Sequence, residues 1–362
     1  VPHSRQDRRA RVPDRTPRPA GRGRTPRTAV ACAVLLAVVA YVAVRGLTGE
    51  DGAVCTVRAT GSPSGASHGY ELKPLQAANA ATIAAVASRR GLPERAVTIA
   101  LATAMQESHL RNIAHGDRDS LGLFQQRPSQ GWGDARQIQD PVYASDRFYD
   151  HLVEVPGYSR LPLTVAAQRV QRSGYPQAYA KHEADATLLT AALTGREAAA
   201  LTCTAGTLDP DEPGDPERVR ERLAREFGRD VLTDGTGAVD TSARGDASAG
   251  RGADDGTARR SPAHPDAAHP DAAYPAVRNG SAPVVSVPAR QRRQGWELAH
   301  WAVANAAALH IRQISYDGRR WSAARSAEGW RATGAKDTKD AKGDGSGSRR
   351  GGGAVQLLLA GH

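Results

Sequence analysis

Residues 98–132 read TIALATAMQESHLRNIAHGDRDSLGLFQQRPSQGW, and the reading of this stretch decides the fold expected of the chain. Val97, Leu101, Ala104, Met105 and Ser108 fall three and four residues apart, which places them on one face of a helix. Glu107 appears where that apolar face ends. A carboxylate partly withdrawn from water is a candidate proton donor, whereas a lone glutamate near a helix end is, taken by itself, an ordinary solvated residue. The residues C-terminal to Glu107 change that weighing. A polar, turn-rich loop leads to Ser120-Leu121-Gly122-Leu123-Phe124-Gln125 and then to Pro128.

The pairing of Glu107-Ser108 with Gly122-Leu123-Phe124-Gln125 and Pro128 resembles the lysozyme-like domain of the soluble lytic transglycosylases and goose-type lysozymes. In that family a helix ends in Glu-Ser and a Gly-Leu-Met-Gln motif leads to a proline; Phe124 stands where the family has Met. The run from Gln126 to Gly133 looks like the version found in secreted proteins of high-GC Gram-positive bacteria. The resemblance covers residues 72–203 and implies a mainly α, lysozyme-like fold acting on peptidoglycan glycan strands. It makes Glu107 the catalytic acid and base, Ser108 a residue that orients the carboxylate, and Gly122, Phe124 and Gln125 parts of the sugar cleft. The family also has an Ala-Tyr-Asn-Ala-Gly element whose tyrosine approaches the acid. This chain departs from it, offering Gln171, Tyr175 and Ala178-Tyr179, of which Gln171 and Tyr175 are cleft candidates with core or surface positions as the equal alternative.

Two carboxylates normally flank the bond in a glycosidase. Here Glu107 is the sole good candidate, and Asp117, Asp119 and Asp134 lie on loops where aspartate ordinarily serves turns and caps. A single acid fits lytic transglycosylation with a 1,6-anhydro product. Hydrolysis is the alternative if Asp117 or Asp119 holds a water, and a non-catalytic glycan-binding protein is the competing class. No metal or other cofactor is expected. The repeat His264-Pro265-Asp266-Ala267-Ala268-His269-Pro270-Asp271 lacks a preformed ligand geometry.

The formal charge is +10 over 362 residues, but the excess lies before residue 28 and in the C-terminal third, so nucleic acid is not the expected partner. Residues 1–27 place nine arginines among prolines and read as a disordered cytoplasmic tail. Residues 28–45 hold an uncharged apolar run closed by Arg45, about 25 Å long as a helix, and read as a signal anchor crossing the membrane once, with a cleaved signal as the rival. Everything after Arg45 is then extracellular, where thiols oxidise. Cys55, on an expected stalk over 46–70, and Cys203 bracket the candidate domain and are expected to pair, because a compact domain brings its ends together.

Within the domain, Leu75–Arg90 forms a helix stopped by Gly91, and Pro93 opens the helix that carries Glu107. Asp140 caps a helix bearing Phe148 and Tyr149, Thr164 caps another over 165–172, and Gln177–Leu193 forms the last. No stretch of the domain shows a convincing period of two. Residues 204–294 read as a Pro- and Gly-rich disordered linker, with a short helix possible at 217–227. Residues 295–362 turn foldable again and hold four of the five tryptophans. A helix from Trp296 and a hairpin at Asp317-Gly318 predict a small α+β module of unassigned role whose tryptophans form its core, with a glycan- or wall-binding face as the alternative.

Overall fold

The computed structural model describes residues 52–59, 69–174, 176–204, 212–233, 282–333 and 353–361. Their architecture is built around two helices, α1 (Pro74–Arg89) and α2 (Glu94–Ser108). Gly91 makes the turn between them with φ of 64°, a conformation that costs a glycine little. Ala96 to Met105 of α2 are buried all round rather than along one stripe, so α2 is a central helix. Its alanines let neighbouring backbones approach closely. Around it stand α4 (Pro141–Val153), α5 (Leu163–Gln171) and α6 (Glu183–Leu193), with the short α3 (Ala135–Ile138) packed on α4. Asp140 caps α4 as expected, its carboxylate accepting from Val142 N at 3.0 Å. Thr164 is not a cap, because α5 already begins at Leu163 behind Pro162. The expected helix 177–193 is split into a 3₁₀ segment, Pro176–His182, and α6.

Two expectations about the domain's edges are overturned. Residues 55–58 and 69–72, read as stalk and domain start, are strands β1 and β2, and Leu201–Cys203 is β3, in an antiparallel sheet of order β2-β1-β3. Such short strands give too few alternations to declare a period. Cys55 pairs in register with Cys203, and the two form a disulfide, so the bond clasps the ends of the helical bundle.

The span 204–294 is also not linker throughout. Helix α7 (Pro216–Phe227) buries Val219 and Leu223, and Glu226 inside it accepts from Arg222 Nε at 2.9 Å and from Trp301 Nε1 at 2.7 Å. Arg225 of α7 forms an ion pair with Asp140. Strand β4 (Val284–Pro288) joins helix α8 (Arg292–Ala304) and strands β5 (Ile311–Tyr316), β6 (Arg319–Ser322), β7 (Arg331–Ala332) and β8 (Ala354–Leu359). The sheet order is β4-β8-β5-β6-β7, all pairs antiparallel. Trp296, Trp301 and Trp321 are at most 1 % exposed, so three of the four tryptophans of this α+β part are core, and Trp330, partly buried, packs against it.

This C-terminal part is not a separate body. Helix α8 packs on α1, α6 and β3 as well as on its own sheet. His300 reaches from α8 to Ala192 O at 2.7 Å and to Ala200 N at 3.1 Å. Arg293 binds Glu94 at 2.6 Å and Thr194 O at 2.9 Å. Gly195, with φ of 67°, sits so close to α8 that a Cβ there would overlap the Arg293 carbonyl.

Among the described residues no helix is long and apolar enough to cross a membrane. The expected tail 1–27, the anchor 28–45 and the His-Pro-Asp repeat lie outside the described residues, as does Tyr175.

Candidate active site

Helix α2 delivers Glu107 in its last turn, where the chain leaves the helix through His109 and Leu110, both left-handed with φ of 55° and 59°. Gln76 Nε2 of α1 donates to His109 O at 2.7 Å, and Asn79 Nδ2 donates to Leu110 O at 2.8 Å. The two α1 side chains thereby hold the carbonyls that the helix end leaves without a helical partner. Glu107 itself is half-buried.

Its partner is Tyr179, from the 3₁₀ segment 176–182: the phenol donates to Glu107 Oε1 at 2.6 Å. Tyr179 is fully buried, and that burial, reinforced by the charge of and hydrogen bond to Glu107, pushes its phenol well above the ordinary tyrosine range. The group therefore stays a hydrogen-bond donor at any physiological pH. Glu107 Oε2 has no hydrogen-bond partner among the described residues. One carboxylate oxygen is held and the other is not. Gln106 and His182 brace the same junction, Oε1 to Nε2 at 3.2 Å; burial, with Lys181 and His109 nearby, pushes His182 below the ordinary histidine value.

The motif loop is fastened beside the acid. Gly122 N donates to Ile113 O at 2.8 Å, while Leu121 and Gln126 exchange backbone bonds at 2.9 and 3.0 Å. Gly122 has φ of 77°, and a Cβ on it would stand 2.7 Å from Ile138 O, so the motif needs glycine there. Buried Gln126 donates to Ala144 O at 3.0 Å. Gln125, with φ of 51°, is half-buried and donates to Gly122 O at 3.2 Å.

Three residues expected at a sugar cleft are instead engaged in holding the motif loop and the core. Ser108 does not orient the carboxylate; its hydroxyl is buried, 2.7 Å from Leu123 O, and pins the motif loop to α2. Phe124 is no cleft wall: its ring is fully buried and stacks on Phe148 of α4, centroids 4.6 Å apart. Gln171 donates from below to Phe124 O at 2.7 Å. The residue that takes the orienting role, Tyr179, was signalled only by Ala178-Tyr179 standing at the place of the family's tyrosine element.

Two of the three loop acids are engaged elsewhere. Asp119 accepts from Ser129 N at 2.8 Å and from Arg127 Nε at 2.6 Å, and these bonds hold its carboxyl far below the usual range, the Ser129 backbone bond contributing most. Asp134 caps α3, accepting from Gln137 N at 2.9 Å. Asp117 is fully out in solvent, its side chain 94 % exposed. Among the described residues no three His, Cys, Asp or Glu side chains gather into a metal-binding group.

A family model described as the VldE C-terminal domain matches residues 229–342. That stretch runs from the turn after α7 past β7 and contains none of the residues around Glu107. Comparison with curated proteins finds no match to the chain.

Proposed function

We propose that this chain is a peptidoglycan lytic transglycosylase with a lysozyme-like catalytic domain. Glu107, as the acid, protonates the bridging oxygen between N-acetylmuramic acid and N-acetylglucosamine while the bond from that oxygen to the anomeric carbon breaks. The resulting carboxylate then accepts the proton of the muramic 6-hydroxyl as its oxygen closes on the anomeric carbon, giving a 1,6-anhydro end and restoring the acid. The observation that carries this reading is the clasp between Tyr179 and Glu107 at 2.6 Å, which fixes one carboxylate oxygen and leaves the other for both proton transfers. The commitment of Asp119 and Asp134 to loop and cap geometry favours a one-carboxylate reaction over hydrolysis.

The disulfide fits an oxidising, extracellular address, and residues 28–45 are the segment that would hold the enzyme at the membrane. Mass spectrometry of purified peptidoglycan digested by the full-length chain tests the reading. Anhydro-muropeptides are expected from the wild type and none from Glu107→Gln, whose amide cannot deliver the proton. Reducing muramic ends alone would make the protein a hydrolase, and glycan binding without products would make it a binding protein.

A further inference from the structure

The five-stranded sheet has two unlike faces. Val285, Val287, Ile314, Trp321 and Leu357 point to α8 and the core and are buried. On the opposite face the strand register aligns the polar residues Ser286, Gln356, Ser315, Arg320 and Arg331 as successive cross-strand neighbours from one edge to the other, with Val284 and Leu358 beside them at the β4 end. Gln313 and Ser322 pair in the adjoining row. The β6-β7 edge thus carries Arg320 and Arg331 opposite one another, and Arg325 is added from the 3₁₀ segment Ala323–Glu328 that overhangs it.

These groups line a cavity of about 380 Å³ whose walls include Gln313, Arg320, Ser322, Arg325, Arg331 and Thr333. That is the size range of small-molecule sites. Glu328 meets Arg331 at 2.6 Å, in a pair about half exposed on both sides. A pair so exposed is readily exchanged for a better partner. The overhang is fixed in place: Arg325 leaves helical geometry at φ −131° and ψ 33°, Gly329 turns with φ of 65°, and Trp330 donates to Leu201 O at 2.9 Å while packing on Trp296. The groove is thus formed before any ligand arrives.

We propose that this groove is a binding site for an oxyanion, a phosphate or carboxylate group carried by a small hydroxylated molecule or by the end of a chain. Forked guanidinium groups match the two oxygens of either anion, and Gln313, Ser322 and Thr333 supply neutral polar contacts for what the anion is attached to. The site shares no residue with the Glu107 clasp, so it stands or falls independently of glycan cleavage.

Calorimetric titration of the full-length chain with inorganic phosphate, glycerol 3-phosphate and acetate provides the test. Saturable binding that weakens with added salt is expected for at least one of them, and the arm that binds identifies the anion as phosphate or carboxylate. The double variant Arg325→Gln with Arg331→Gln, both residues exposed, should keep the wild-type melting temperature and lose about tenfold or more in affinity. Failure of all three probes to bind the wild type would overturn the proposal. So would a double variant that melts normally and binds as tightly as the wild type.

Discussion

Tyr179 donates its phenolic proton to Glu107 Oε1 across 2.6 Å, joining a 3₁₀ segment to the last turn of the central helix. The bond aims the carboxylate and also ties down the segment that leads into α6. In the proposed reaction it makes Tyr179 a positioning residue whose loss can be told apart from loss of the acid.

Tyr179→Phe keeps the ring in its buried slot and removes only the aimed hydrogen bond. Stability should fall by about 1 kcal/mol, the usual net worth of one such bond. Glycan turnover should fall about 10- to 100-fold in kcat with little change in KM, because a misaimed carboxylate transfers protons poorly while sugar contacts remain. Muropeptide release at several substrate concentrations separates the two. A raised KM with unchanged kcat would place Tyr179 in binding instead.

Gly122→Ala tests whether the motif glycine is required by geometry. The added methyl meets Ile138 O at 2.7 Å in a left-handed conformation, and a cost of about 1–3 kcal/mol is expected. Thermal unfolding reads the loss. An unchanged melting temperature would show that the loop yields without strain.

The disulfide between Cys55 and Cys203 closes a loop with a sequence separation of 148. Loop entropy sets its stabilisation at about 5 kcal/mol as an upper figure. Cys55→Ser should therefore lower the melting temperature strongly, yet leave activity intact well below that temperature, since neither sulfur touches Glu107. Peptide mapping without reductant should recover the two cysteines in one linked peptide.

Helices α1, α2 and α4 were legible because they carry their own punctuation: Gly91 and Pro93 between α1 and α2, Asp140 before α4. The start of α5 behind Pro162 and the break between the 3₁₀ segment 176–182 and α6 carry no such mark. The structure lays the Gly122–Gln125 loop against the end of the helix that carries Glu107, as their pairing in the sequence suggests, and the disulfide was legible because only Cys55 and Cys203 follow Arg45. What could not be read was direction. Whether Ser108 faces the carboxylate or Leu123 O depends on where a loop fifteen residues away is laid down. Phe124 is core because Phe148 happens to lie beneath it. The docking of α8 rests on contacts about a hundred residues apart in sequence, such as His300 with Ala192 and Ala200, and no local pattern announces them.

That docking predicts an unusual dependence of stability on pH. Burial pushes His300 down from 6.5 to about 4, and its neutral ring donates at Nδ1 to Ala192 O while Nε2 accepts from Ala200 N. Its contribution is complete above pH 6.5 and is lost as pH falls toward and through 4, because the unfolded chain takes up a proton that the folded one refuses. Glu297, one turn earlier in α8, is pushed the other way: burial raises it from 4.5 to about 7, against the opposing help of Ser88 and Arg293. Its contribution is complete below pH 4.5 and is lost as pH rises through 7. Between about 4.5 and 6.5 the two slopes oppose each other, so the wild type should vary little there on their account. In Glu297→Gln only the histidine slope remains. The variant should gain stability relative to the wild type as pH rises from 4.5 to 7, by about 3 kcal/mol in all at roughly 1.4 kcal/mol per unit. Urea unfolding of both proteins across pH 4 to 8 measures the difference directly, and a difference that stays constant with pH would mean that Glu297 does not carry a raised pKa in the fold.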